Sequence, residues 1–67
     1  MFEFYTEEVF NLIDKLDIEF GFDFEEKLPA LHVTFLAAFA KEDATKLKYI
    51  YNQLCFVLDI CREEGAA

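Results

Sequence analysis

The chain has no tryptophan, one histidine, one proline, two glycines and six basic residues. Each shortage removes a class of function. Two glycines, far apart, cannot build a Gly-rich loop that cradles phosphate. The lone imidazole, His32, has leucine at positions 28 and 36, so no acid one turn away orients it. Pro29 stands three residues before it, where a di-iron Glu-x-x-His pair needs its glutamate. Six bases against 14 acids disfavour direct binding to nucleic acid, because phosphates would be repelled. No Ser/His/Asp set has a recognisable context.

Cysteine is scarce too. Cys55 and Cys61 are six residues apart, which on a helix separates their Cα atoms by about 9 Å. A disulfide needs less than about 7 Å, so they cannot bridge each other within one helix. They read as two small apolar residues in a reducing cytoplasm. The opening Met1-Phe2-Glu3 lacks a basic region and an apolar h-region, so no signal peptide is expected. No run is long enough for a membrane span.

What is abundant is grease and negative charge. Fifty-five per cent of the residues are hydrophobic and nine of the 67 are phenylalanine. A chain of this length hides only roughly 60% of its unfolded surface. Some apolar surface should therefore stay exposed in a monomer, which favours a homodimer or a dedicated partner. The longest apolar run is Leu28–Ala40, in which only His32 and Thr34 carry polar side-chain atoms. Pro29 suits the first position of a helix, where its missing N–H costs nothing. The run predicts a helix over 29–40 that is apolar nearly all round and must be surrounded by the others.

Thr6 is the expected N-cap of a first helix over about 6–20, with Glu7 and Glu8 in its first turn. Val9, Leu12, Ile13, Leu16 and Phe20 recur at helical spacing, whereas Phe10 and Ile18 fall outside that stripe. Residues 18–25 alternate apolar with acidic or glycine, which is also a strand period. Two readings therefore stand: a helix ended by Gly21, or an α+β fold with short strands at 2–5 and 18–24. Asp23 and Glu26 fit a capping box for a helix from Phe24. A start at Pro29 is preferred, because proline in the second turn of a helix costs roughly 3 kcal/mol.

Lys41-Glu42-Asp43 forms a short connection, making its two helices antiparallel neighbours. Asp43 caps a last helix over about 44–63, which Gly65 is placed to end. Leu47, Ile50, Leu54, Val57 and Cys61 follow a 3-4-3-4 spacing, a seam expected to pack on the 29–40 helix. Tyr49, Phe56 and Ile60 make a second stripe about 180° to 220° from Leu47, a candidate dimer interface. The expected fold is all-α, a single-domain three-helix bundle with the apolar helix at its centre.

Charge is segregated along the chain. Residues 1–26 hold nine acids against Lys15 alone, whereas residues 27–67 hold five acids and five bases. The whole net charge of −8 thus lies in the opening third. A calcium loop from Asp17 fails, because Phe22 stands at the sixth position, where glycine is needed. Paired carboxylates for acid–base work need a cleft, and none is predicted in so small a globule. The remaining reading is a partner-binding acidic face of Glu7, Glu8, Asp14, Asp17, Glu19, Asp23, Glu25 and Glu26, interleaved with aromatics.

Such a face fits a basic, nucleic-acid-binding protein, with carboxylates standing in for phosphates. Small phage or mobile-element inhibitors of host defence or nucleic-acid enzymes match that physics. The expected role is non-enzymatic and needs no cofactor or metal. Two alternatives are a homodimeric assembly subunit and a small ligand- or metal-binding bundle using His32, Cys55 and Cys61. The latter lacks a fourth ligand at any diagnostic spacing.

Overall fold

A computed structural model describes residues 1–66 and shows an all-helical bundle: α1 (Phe2–Phe20), α2 (Phe24–Lys27), α3 (Pro29–Ala40) and α4 (Ala44–Ala66). No strand occurs among the described residues, so the α+β alternative is not realised at 2–5 or 18–24. Two local devices decide this. Gly21 takes a left-handed backbone (φ 63°, ψ 26°), a conformation glycine adopts without Cβ strain, and it ends α1. Asp23 then caps α2, its Oδ1 accepting from the Glu26 N–H at 3.3 Å. The alternation is broken twice within four residues and cannot run as a ladder.

α1 begins four residues earlier than expected, and Thr6 is not its N-cap. The Thr6 hydroxyl donates to the Phe2 carbonyl at 2.8 Å, a bond made inside a helix. Phe2 and Tyr5 thereby join the buried stripe of Val9 and Leu16. Residues 24–29 reconcile the two starts weighed for the next helix. α2 is a single capped turn, Leu28 leaves the helical region (φ −129°), and Pro29 opens α3 at its first position. Proline disfavours a helical residue before it, which places the break at Leu28.

The chain leaves α3 through Glu42, whose φ of 53° is left-handed without glycine. Asp43 caps α4 by accepting from the Lys46 N–H at 3.1 Å. Gly65 does not end α4, which continues to Ala66. A Cβ at Gly65 would lie 3.8 Å from Phe20 Cε1, so the two helices meet there. Tyr5 and Tyr51 also meet, with ring centroids 5.9 Å apart. Residues near the start of α1 face the first half of α4, and its end faces the end of α4. The two helices are therefore parallel, and α3 returns between them in the chain.

The dominant packing is α1 against α4, with α3 on α4 second. Leu47, Ile50 and Leu54 of α4 and Val9 and Leu16 of α1 are fully buried. Each such side chain contributes about 1.5–3 kcal/mol of burial. The seam of α4 thus packs mainly on α1, not on the apolar helix as expected. α3 buries only Phe35 and Ala38, while Val33 is 64% and Leu36 52% exposed. The bundle is helical as anticipated, but its most apolar helix is only half covered.

Candidate protein-binding cleft

The α1–α3 contact is made largely of rings. Phe10 meets Phe35 edge-on at 5.4 Å and Phe39 at 6.3 Å, and Phe2 meets Phe39 at 6.0 Å. Phe10 is out of register with the stripe facing α4 because it serves this second neighbour. Phe24, buried at the start of α2, meets Phe35 at 6.2 Å and the His32 ring at 5.5 Å, both edge-on. Edge-to-face pairs of this kind are worth about 0.5–1.5 kcal/mol beyond their buried area. Ile18 has no comparable explanation; it is 82% exposed.

Rings hold helices apart as well as together. Between α1, α2 and α3 they leave a cleft of about 510 Å³, contrary to the expectation of none. Phe10 and Ile13 of α1, Phe24 of α2, and Phe35, Leu36 and Phe39 of α3 supply its apolar wall. The volume lies within the roughly 300–1,000 Å³ typical of ligand sites. Its rim is acidic: Asp14 and Asp17 from α1, Asp23 from the connecting turn, and Glu25 from α2. His32 is its one imidazole and is half-buried.

The eight carboxylates of the expected acidic face do not share one face. Asp14, Asp17, Asp23 and Glu25 gather on this rim. Glu7 lies on the same flank of α1 as Asp14, about 20° away around the axis, but outside the cleft. Glu8 and Glu19 project from the opposite flank. Glu19 forms the only ion pair among the described residues, to Lys15 at 3.8 Å across one turn. That pair is half-exposed and contributes little. Glu26 lends its backbone N–H to Asp23 and does not line the cleft. Among the described residues none of the four rim carboxylates forms an ion pair within 4.0 Å.

The other candidate chemistry does not assemble. Among the described residues no three His, Cys, Asp or Glu side chains come close enough to hold a metal, so His32, Cys55 and Cys61 form no such set. Both cysteines are free and half-buried on α4. The Cys55 thiol, one turn from Tyr51, holds that hydroxyl above the ordinary tyrosine value, by hydrogen bonding and then by charge once ionised. The pair lies beside Tyr5 at the α1–α4 seam, away from the cleft. Tyr49, Phe56 and Ile60 point outward from α4, with Phe56 63% exposed.

Among the described residues no helix is long and apolar enough to cross a membrane. Compared with known proteins, the chain matches no family model, no curated protein and no solved structure. Function must therefore be argued from the cleft and its charge. The aromatic wall leaves one trace in the sequence: Phe10, out of line with its own helix stripe.

Proposed function

We propose that this is a non-enzymatic acidic interaction protein of the cytoplasm. It occupies a basic surface on a partner protein where nucleic acid would otherwise lie. The observation that carries this reading is the set of four exposed carboxylates, Asp14, Asp17, Asp23 and Glu25, around one apolar cleft, none of them held in an ion pair among the described residues. Carboxylates on a firm scaffold present fixed negative charge, as phosphates do along a duplex, and a cationic groove accepts either. An inhibitor carried by a phage or mobile element against a host nuclease or polymerase is the setting this chemistry suits.

The test is competition. A partner captured from the native host should release bound DNA when this protein is added, with affinity falling steeply as salt rises. The combined change Asp14→Asn, Asp17→Asn, Asp23→Asn and Glu25→Gln should abolish competition while leaving the helical signal and melting temperature intact. Partner, DNA and protein bound together in one complex would sink the reading.

A second reading rests on a separate observation. The stripe of Tyr49, Phe56 and Ile60 is apolar and only partly covered in the single chain, Phe56 most exposed at 63%. A homodimer through this stripe would cover it. Sedimentation should then give twice the chain mass, and Phe56→Glu should yield a folded monomer. A wild-type protein that sediments as a monomer at high micromolar concentration excludes it.

A further inference from the structure

We infer that the cleft is an anchor pocket. It receives one large apolar side chain of a basic protein segment, while the segment's lysines and arginines lie along the adjoining flank of α1. This rests on the interaction reading above and makes it specific. Phosphate mimicry needs charge alone, and a flat acidic surface would provide it. Here the charge surrounds a concave aromatic wall, and a free cation gains nothing from such a wall except contact with ring faces.

The shape of the charge favours a chain segment over a small amine. Glu3, Glu7, Asp14 and Asp17 fall within about 80° of one another around α1, and Glu3 to Asp17 spans about 21 Å along the axis. Asp23 and Glu25 close the rim at the far end of that track. A single small cation would use one or two of these carboxylates. A helical or extended basic segment uses them all, with one apolar residue at the right register to enter the cleft.

The wall is also set in advance. Phe10 and Phe39 are nearly half exposed, yet each is held edge-on or tilted against the buried Phe35. Little rotamer freedom remains to be lost when a guest side chain arrives. Anchors of this type, a large apolar group in a pocket with charge at the rim, carry most of the affinity in protein interfaces.

The absence of tryptophan from the chain supplies a clean assay. A lysine-rich peptide long enough to run the track, with one central tryptophan, reports only its own environment. A second peptide has alanine in place of that tryptophan. At an ionic strength of about 0.15 M, the tryptophan peptide should bind at least about tenfold more tightly than the alanine one, with its emission shifted to the blue. Leu36→Arg puts a cation on the exposed rim of α3 and should remove that preference while leaving the fold intact by circular dichroism.

Equal affinity of the two peptides, with no blue shift, would overturn the anchor and leave the charged-surface reading standing. A preference that survives Leu36→Arg would place the anchor elsewhere and overturn the assignment to this cleft. Binding of neither peptide also overturns it, and the DNA-competition experiment then decides the broader reading by itself.

Discussion

Helices α3 and α4 follow one another in the chain, and both carry many apolar residues, yet they use them differently. α4 has a definite inner face: Leu47, Ile50, Leu54 and Leu58 are buried on it, and all six charged residues lie elsewhere, beside the outward Tyr49, Phe56 and Ile60. α3 does not sort its side chains. It has no charged residue between Pro29 and Ala40, buries two side chains, and leaves Val33, Leu36 and Phe39 partly in water. Apolar content therefore did not decide which helix became the centre. Direction did, because a stripe can be matched by a neighbour's stripe, whereas a uniformly apolar helix offers no preferred side. α1 and α4 are the two helices with a definite apolar face, and they found each other.

The comparison is broken most sharply by two equal truncations. Leu54→Ala removes a fully buried side chain and should cost about 3 kcal/mol, within the usual 2–5 kcal/mol for such sites. In a chain this short that is a large part of the total stability, so much of the protein should be unfolded at ambient temperature. Leu36→Ala removes the same atoms from a side chain already half in water and gains helix propensity. It should cost less than about 1 kcal/mol. Urea titrations followed by circular dichroism measure both. Equal losses would show that α3 is covered in solution, which the single chain does not account for.

A smaller effect sharpens the contrast at the helix starts. α4 has a side-chain cap in Asp43, whereas α3 has none and relies on Pro29. Asp43→Ala should cost about 1 kcal/mol. The melting temperature should drop by several degrees in a domain this size. An unchanged melting temperature would mean that the α3–α4 connection, with its left-handed Glu42, is held by its backbone bonds alone. Those bonds run from the amides of Lys41, Glu42 and Asp43 to the carbonyls of Ala37, Phe39 and Ala38.

How far the chain could be read in advance follows from the range of each signal. Gly21, Pro29 and Asp43 act on their immediate neighbours, and all three did what their chemistry implied. The start of α1 was misplaced because Thr6 can satisfy either a cap or a carbonyl four residues back, and the local sequence does not choose. The strand alternative arose from alternation in residues 18–25, which coincided with two helix ends. The partner of each stripe was harder. Periodicity says that Leu47, Ile50 and Leu54 need cover, but not that α1 rather than α3 provides it. The cleft was least legible of all. It is a space left between rings on three elements, and only the odd placement of Phe10 hinted that α1 had a second neighbour. The charge imbalance was plain, but its division into four rim carboxylates and others elsewhere depended on how α2 turns the chain.

The parallel run of α1 and α4 has an electrostatic corollary. Each helix ends in a partial negative charge from its unpaired carbonyls, and here both ends lie together, where Phe20 meets Gly65. Neither last turn holds a base; Asp17 and Glu19 sit in one, and Glu63 and Glu64 in the other. That end of the molecule thus gathers two helix C-termini and four carboxylates. A cationic body would be drawn toward this end before any atom touched, and Asp17 belongs both to it and to the rim of the cleft.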